Sequence, residues 1–339
     1  MADDREAGGT SRLRGTPARG GLDPVTAKAR RAVAAALDDL DPGDRVTVAL
    51  SGGADSLALA ACLSFLGPKA GWDCHALVID HGLQDDSASV AAGAAAQARA
   101  LGLAADIVQV VVTGAGGLEA AARTARYEAL LEAAAPDQSS VILLGHTLDD
   151  QAETVLLGLG RGSGPRSIAG MPPTAGPFRR PFLGLRRAET ERICAAAGLE
   201  YWSDPHNDDP RFRRSRLRHE VMPLLEDVLG GGVAEALART AGQLRDDVEF
   251  LDALAVTASQ ADLRVADLAA LAPALRSRVL RLAALDAGVA GSDLTAGHLD
   301  ELDRLVTDWR GQVRVELPGR ISVVRDREAL RFVPTPALG

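Results

Sequence analysis

Four short apolar runs, each followed by a helical pattern, constrain this chain more than any other feature. The runs fall at 45–50, 74–80 (CHALVID), 106–112 (DIVQVVV) and 140–145 (SVILLG). Helical patterns follow at 56–66, 87–102, 117–135 and 149–160, and an amphipathic pattern precedes them at 25–40. The runs lack a clean two-residue alternation, which suits strands buried on both faces. Regular β-α-β-α order predicts a parallel sheet with helices on both faces. Ligands of such sheets bind beyond the carboxyl ends of the strands. Polar residues gather at those ends: 51–56 after the first run, Asp80 and His81 after the second, and 145–153 after the fourth.

The first group reads SGGADS. Gly52 and Gly53 let the backbone approach an anion, and Ser51 and Ser56 offer hydroxyls. A helix starting near Asp55 aims its free N–H groups and positive dipole end at the turn. A Walker A loop would add a lysine for the terminal phosphates. None stands here, so the balancing charge must come from a metal ion, the helix dipole or arginines elsewhere. Asp55 reads as a Mg²⁺ partner or as an N-terminal helix cap.

The fourth group, LLGHTLDDQAET, places Asp150 and Glu153 three apart on one helix face, with Asp149 adjacent. First-turn acids complement a helix dipole; beside a phosphate cradle, paired carboxylates also make a site for an ammonium group or a metal. His146 reads equally as a nucleotide contact or as a neighbour of the helix cap. In EAAARTARYEAL, Arg123 and Arg126 read as a solvated basic face or as the guanidinium that the lysine-free turn lacks.

Charge is unevenly spread. The net charge is −9, yet residues 161–220 hold twelve Arg against seven acids. Within them RFRRSRLRHE packs five arginines (Arg211, Arg213, Arg214, Arg216, Arg218) into eight residues around Phe212. This suits a nucleic-acid backbone with a stacking platform, or else a solvated charged face. The preceding stretch, 162–181, is dense in Gly and Pro and reads as a functional or mobile loop, flanked by Arg161. Helical patterns resume at 186–198 and from 233, LGGGV is a candidate hinge, and 312–333 alternates as short strands around Pro318 and Gly319.

SGGADS, VIDHGL, EAAARTARY, LLGHTLDDQAETVLLGLGRGSG, RPFLGLRR and WSDPHNDDPRFRRSRLRHEVMPLL occur in the order seen in bacterial tRNA(Ile)-lysidine synthetases, which the chain resembles over roughly residues 45–226. These belong to the PP-loop (N-type) ATP pyrophosphatases. The first motif marks the superfamily; the later ones are specific to the lysidine enzymes. The resemblance implies a Rossmann-like, adenine nucleotide alpha-hydrolase-like α/β domain and a smaller, mostly helical C-terminal domain. The expected division is a flexible tail at 1–24, the PP-loop domain at 25–215 and a tRNA-binding domain at 216–339. The implied reaction adenylates C2 of the wobble cytidine (position 34) in the CAU anticodon of tRNA(Ile) with ATP, releasing pyrophosphate. L-lysine then displaces AMP, and codon reading changes from AUG to AUA. A loop that holds pyrophosphate as a leaving group does not need the lysine of a γ-phosphate loop.

The resemblance also implies roles. Ser51, Gly52, Gly53, Ala54, Asp55 and Ser56 would be the nucleotide loop, with Gly145 nearby and Asp55 toward Mg²⁺. Asp80 and His81 would lie beside adenosine. Asp150 and Glu153 would hold the lysine ammonium, and Arg126 its carboxylate or the phosphates. Arg161 and the five arginines of the basic run would meet tRNA. Ser215 stands where the family's arginine-rich stretch usually has Asn. Longer members carry a second C-terminal domain, so a reduced or different recognition of the acceptor stem is expected.

Two other readings compete: a related PP-loop enzyme that thiolates tRNA, and a nucleotide-binding module without ligase chemistry. The three cysteines (Cys62, Cys74, Cys194) show no C-x-x-C spacing, which speaks for reduced thiols and against a cysteine-held cluster. No apolar run approaches a membrane span, and the N-terminus has no signal-peptide core. A cytoplasmic location is expected, no membrane partner, and a homodimer is one candidate assembly.

Overall fold

The computed structural model describes residues 23–82, 86–111, 118–134, 141–162, 164–203, 209–259, 262–312 and 314–335; the expected tail lies outside them but for its last two residues. Asp23 caps α1 (Pro24–Ala36) by accepting the Thr26 N–H, and Pro24 supplies a preset first helical φ. The alternation then follows as β1 (Arg45–Leu50), α2 (Ala54–Ala70), β2 (Asp73–Asp80), α3 (Ser87–Ala100), β3 (Ala104–Gln109), α4 (Leu118–Ala134), β4 (Val141–Leu143) and α5 (Leu148–Arg161).

The stretch expected to be a loop holds more structure than its Gly and Pro content suggests. It contains α6 (Pro165–Ile168) and two two-residue strands, β5 (Thr174–Ala175) and β6 (Phe178–Arg179). β6 lies parallel to β4; the N–H groups of Ile142 in β4 and of Leu144 just after it donate to Pro177 O and Arg179 O, both at 2.9 Å. The open edge of β4 demands these bonds, a long-range need that local composition hides.

The sheet order is β3-β2-β1-β4-β6-β5, parallel except for the β5–β6 pair. Alternate strand residues feed opposite layers. Val46, Val48, Ala76, Val78, Val141 and Leu143 face a core with α1, α2 and α3. Leu77, Ile142 and Leu144 face a second layer with Leu130 of α4 and Phe178 of β6. Full burial of a side chain such as Leu57 or Leu63 in α2 contributes about 1.5–3 kcal/mol, which fixes the helix whose first turn abuts the SGG loop. Strand order reverses between β1 and β4. Their carboxyl ends open the crevice where α/β sheets bind ligands.

After a 3₁₀ turn (Pro181–Gly184) and α7 (Arg187–Ala197), the basic run forms α8 (Arg213–Arg216), a π-helical turn (Leu217–Val221) and α9 (Met222–Val228). Pro223 explains the π turn. Its ring cannot tolerate the carbonyl four residues back, and the Met222 N–H reaches five back to Leu217 O. Gly230, Gly231 and Gly232 all take positive φ before α10 (Val233–Ala258). That helix is 26 residues long, about 39 Å at 1.5 Å per residue. Ala234 and its neighbours pack on Leu148 and Ala152 of α5, whereas Ala255 enters a separate core. The second core is completed by α11 (Val265–Ala270), α12 (Pro273–Asp286), α13 (Ala296–Thr307) and an antiparallel sheet of β7 (Val315–Leu317), β8 (Ile321–Arg325) and β9 (Leu330–Pro334). Among the described residues no helix is long and apolar enough to cross a membrane.

Candidate active site

The turn after β1 is held by its own serines. Gly52 takes φ +82°, open to glycine at little cost. Buried Ser56 donates to Gly53 O at 3.0 Å and accepts from Ser51 N at 3.1 Å, and exposed Ser51 places its hydroxyl 3.2 Å from that of Ser56. Gly53 caps α2 with no side-chain bond, so the first-turn N–H groups from Ala54 onward are not satisfied by a cap. Backbone from further along also braces the turn: Trp202 N donates to Gly52 O at 2.9 Å, and Gln97 pairs with Glu200 N and O. At the end of β2, buried Asp80 accepts from Gly82 N at 3.0 Å and folds the chain around His81.

Gly145 brings the β4–α5 connection against this turn. A Cβ there would sit 3.0 Å from both the Asp55 carbonyl carbon and Ser56 N, which are backbone atoms that cannot swing away. Two strand ends therefore meet at one point, and α2 and α5 start side by side. Thr147 and Asp150 form a capping box on α5, with Asp150 Oδ2 accepting from Thr147 N and Oγ1 at 2.8 Å. Asp150 thus does the job expected of a first-turn acid and still offers Oδ1 to the crevice.

That remaining oxygen meets a guanidinium. Arg187, the first residue of α7, donates from NH2 to Asp150 Oδ1 at 2.9 Å and from Nε to Asp55 Oδ2 at 3.4 Å, and its NH1 lies 4.0 Å from Glu153 Oε1. Its backbone N–H donates to Asp149 Oδ2 at 2.7 Å, while Arg186 pairs with Asp149 Oδ1 at 3.0 Å. Glu153 is 1% exposed and is gripped by Arg218, with Nε to Oε1 at 2.8 Å and NH2 to Oε2 at 3.3 Å. Arg218 lies on the π turn. It points inward to this pair, whereas Arg211, Arg213 and Arg216 of the same run are exposed. Asp55 is not a helix cap: its second oxygen accepts from Thr190 Oγ1 at 2.5 Å.

Burial and charge pull these carboxyls apart. Burial pushes Asp55 up to about 6, against the pull of Arg187 and Thr190 and helped by Asp150. Burial also raises Glu153, more than Arg218 lowers it. At Asp150 burial acts upward, but Arg187 and the Thr147 bonds together hold it below the usual carboxylate range. A cleft of ≈180 Å³ opens between Asp149, Glu153, Arg186, Arg187, Arg218 and Met222. That is below the roughly 300–1,000 Å³ of sites for drug-sized ligands, and scaled to one small side chain.

A second arginine group surrounds His146. Burial takes its imidazole down to about 4, Asp150 opposes this, and the charges of Arg180, Arg123 and Arg214 add to it. Its Nδ1 is buried without a hydrogen-bond partner among the described residues. Arg123 lies 5.0 Å from the Tyr127 ring and donates to its hydroxyl at 3.3 Å, and Tyr127 packs edge-on to Phe178 at 4.9 Å. Arg126 is exposed on α4; Arg123, one turn earlier, is the α4 arginine whose charge reaches His146. Of the basic run, Arg211 pairs with Asp209 at 2.6 Å and Arg216 with Glu220 at 2.8 Å, both on the surface. Arg213 is exposed, and Arg214 is half-buried with NH2 3.5 Å from Thr154 Oγ1. Ser215 is buried. Arg161 is exposed at the far end of α5.

Arg187 and Thr190 were not singled out from sequence. Arg187 closes RPFLGLRR, whose order marks it, but the carboxylates it faces, Asp55 and Asp150, lie 132 and 37 residues away in the chain. The three cysteines are free, and burial raises Cys62 and Cys194 to about 12 and Cys74 to about 11. None is a ready thiolate. Among the described residues no three His, Cys, Asp or Glu side chains cluster as metal ligands.

Comparison with known proteins gives the chain's family. A family described as PP-loop domain matches residues 25–225, and one described as TilS substrate binding domain matches residues 263–331. The chain is 55% identical to a tRNA(Ile)-lysidine synthase of Leifsonia xyli subsp. xyli, over 87% of this chain and 91% of that protein. It is 52% identical to that of Thermobifida fusca, over 88% and 94%, and 53% identical to that of Mycobacterium tuberculosis, over 80% and 84%. A solved structure of the U34-tRNA thiolase NcsA from Methanococcus maripaludis with its [4Fe-4S] cluster superposes with a TM-score of 0.55 at 19% identity, covering 65% of this chain and 79% of that one. At that identity the likeness speaks for the fold alone.

Proposed function

The chain belongs to the tRNA(Ile)-lysidine synthase family, and from that premise we propose that it uses ATP to join L-lysine to C2 of the wobble cytidine in the CAU anticodon of tRNA(Ile). In the first step the cytidine C2 oxygen attacks the α-phosphate, the α–β anhydride bond breaks, and pyrophosphate leaves. In the second the lysine ε-amine, having given up a proton, attacks C2; the C2–O bond breaks and AMP leaves.

The observation that carries this reading is the placement of Asp150 and Glu153. They adjoin the glycine turn and already clasp cations, the guanidinium groups of Arg187 and Arg218. An alkyl ammonium entering the cleft takes the place of Arg218 on Glu153, and a carboxylate freed beside it takes up its proton. Asp80 and His81 border the adenosine at the end of β2, and Gly145 keeps the nucleotide loop accessible. Arg126 is assigned the lysine carboxylate or the phosphates. Arg161, Arg211, Arg213, Arg214 and Arg216 are assigned to tRNA phosphates, and Arg218 to the switch between Glu153 and the RNA.

Mg²⁺ fits as a companion of the triphosphate. It is commonly held by one or two carboxylates plus phosphate oxygens rather than by a protein cage, and Asp55 is the carboxylate on hand. It would screen the charge of the leaving pyrophosphate. Asp55 Oδ2 then has to be released by Arg187, which keeps Asp150 and the Asp149 contact.

The test is product release with CAU-anticodon tRNA(Ile). Pyrophosphate release that needs tRNA, together with AMP release and RNA-bound lysine that need lysine, is the expected result. Pyrophosphate release indifferent to lysine, with sulfur entering the RNA, would favour a thiolation enzyme; no release at all would favour a binding module.

A further inference from the structure

Away from the crevice, three arginines crowd one aspartate where α6, α10 and α12 meet. Asp252 of α10 accepts at a single oxygen, Oδ1, from Arg166 NH2 of α6 at 2.5 Å and from Arg278 Nε of α12 at 3.1 Å. One turn along α12, Arg281 is half-buried and has no hydrogen bond or ion pair among the described residues. Its guanidinium lies against Gly291, where a Cβ would be 3.5 Å from NH2. Burial lowers its pKa, Arg166 lowers it further, and Asp252 only partly offsets them. The group therefore sets three guanidinium charges against one carboxylate, inside a chain of net charge −9.

We propose that Arg166, Arg278 and Arg281, organised around Asp252, form a preassembled clamp for a backbone phosphate of the tRNA. Guanidinium forks suit phosphate oxygens, and a prefixed set loses little side-chain entropy on binding. Position argues for RNA over free nucleotide. Arg166 follows α5, whose 14 residues span about 20 Å from the Asp149 end to the Arg161 end. A nucleotide held at the β1 turn does not reach that far, but a tRNA whose wobble base sits in the crevice does. The clamp also joins the two parts of the chain that match separate families, 25–225 and 263–331, so one phosphate would tie both to the same RNA. The inference rests on the lysidine-forming reading given above.

The test uses the full chain and CAU-anticodon tRNA(Ile), titrated from about 50 to 200 mM salt, with melting curves on the same samples. Arg281→Gln should weaken tRNA binding roughly three- to tenfold and lower the slope of log K against log salt by about 0.7–0.9, the share of one phosphate. Its Tm should stay level or rise, because a repulsive neighbour of Arg166 is gone. Arg281→Lys should keep most of the slope. Unchanged affinity and slope in Arg281→Gln would overturn the clamp, as would a fall in Tm with the slope intact. Lysine-dependent AMP release by the parent chain is measured in parallel. If the parent fails there, the lysidine reading has failed; if the parent is active and Arg281→Gln binds normally, only the clamp has.

Discussion

Arg218→Met should destabilise the protein by about 1–3 kcal/mol at pH 7 and by less than about 1 kcal/mol at pH 5. The variant leaves Glu153, 1% exposed, without the two bonds it now accepts. Among the described residues only Arg187 remains, at 4.0 Å. The least costly escape is for Glu153 to take a proton. An ordinary glutamate ionises near 4.5, so holding it neutral costs about 3.4 kcal/mol at pH 7 and about 0.7 kcal/mol at pH 5; Arg187 trims the larger figure. The sign follows from linkage. A carboxyl whose folded pKa is raised binds a proton in the native state that the unfolded chain gives up. Stability therefore falls as pH rises from 4.5 toward the folded value. Urea unfolding at pH 5, 6 and 7 measures this, with the double variant Arg218→Met/Glu153→Gln as the second arm. Removing both charges should recover most of the loss at pH 7. An equal loss at pH 5 and pH 7, or a double variant no more stable than the single one, would refute a buried unpaired carboxylate as the cause.

Asp55→Asn should abolish tRNA-dependent ATP–pyrophosphate exchange yet be at least as stable as the parent above pH 6. With a folded pKa near 6, Asp55 weakens the parent as pH climbs from about 4 to 6, and the amide carries no such penalty; exchange at the parent rate would sink the assignment. Asp150→Asn and Glu153→Gln should each raise the lysine KM or lower kcat by roughly 10- to 150-fold, the scale of a lost charge-assisted bond. Steady-state kinetics with lysine and ATP varied in turn checks this, and a collapse of ATP affinity with lysine dependence intact would mark the pair as metal ligands instead. Neutralising Arg213 and Arg214 together should weaken tRNA binding and reduce its salt slope by about one to two units. Loss of Tm at constant slope would give them a purely structural role.

What could be read from the sequence was what neighbouring residues decide. The β-α alternation is legible because each strand is a short apolar run and each helix has its own period. Asp150 is legible as a first-turn acid, whereas its capping box with Thr147 came with the structure. The π turn has its cause in one residue, Pro223. The ion pairs of the site were not legible. Arg187 meets Asp55 and Asp150 across 132 and 37 residues, and Arg218 meets Glu153 across 65. Nothing in RFRRSRLRHE distinguishes Arg218, which turns inward, from Arg216, which pairs on the surface with Glu220. That choice is made by the π turn, which re-aims one side chain, and by a carboxylate on another helix. The pairing of β6 with β4 is hidden for the same reason, since it answers an open edge rather than a local propensity.

The lack of a lysine in the phosphate cradle has an electrostatic answer in these pairs. Asp55, Asp149, Asp150 and Glu153 stand together beside the first turn of α2, where a triphosphate would bring several more negative charges. Four bare carboxylates there would repel the nucleotide that the turn is built to accept. Arg186, Arg187 and Arg218 neutralise most of that charge, and Arg123, Arg180 and Arg214 surround His146 on the other side. A fixed lysine in the turn would add positive charge at the place where the proposed reaction puts the substrate ammonium, and two cations would compete for one pair of carboxylates. Guanidinium groups carried on α7 and on the π turn avoid that conflict, because they sit on separate elements and can be exchanged one at a time. In this reading Arg218 leaves Glu153 for the RNA as lysine arrives, so a lysine site with full negative charge exists only when tRNA is bound. The order of binding that follows, tRNA before productive lysine, is measurable as a lysine Kd that falls on adding tRNA; equal lysine affinity with and without tRNA would contradict it.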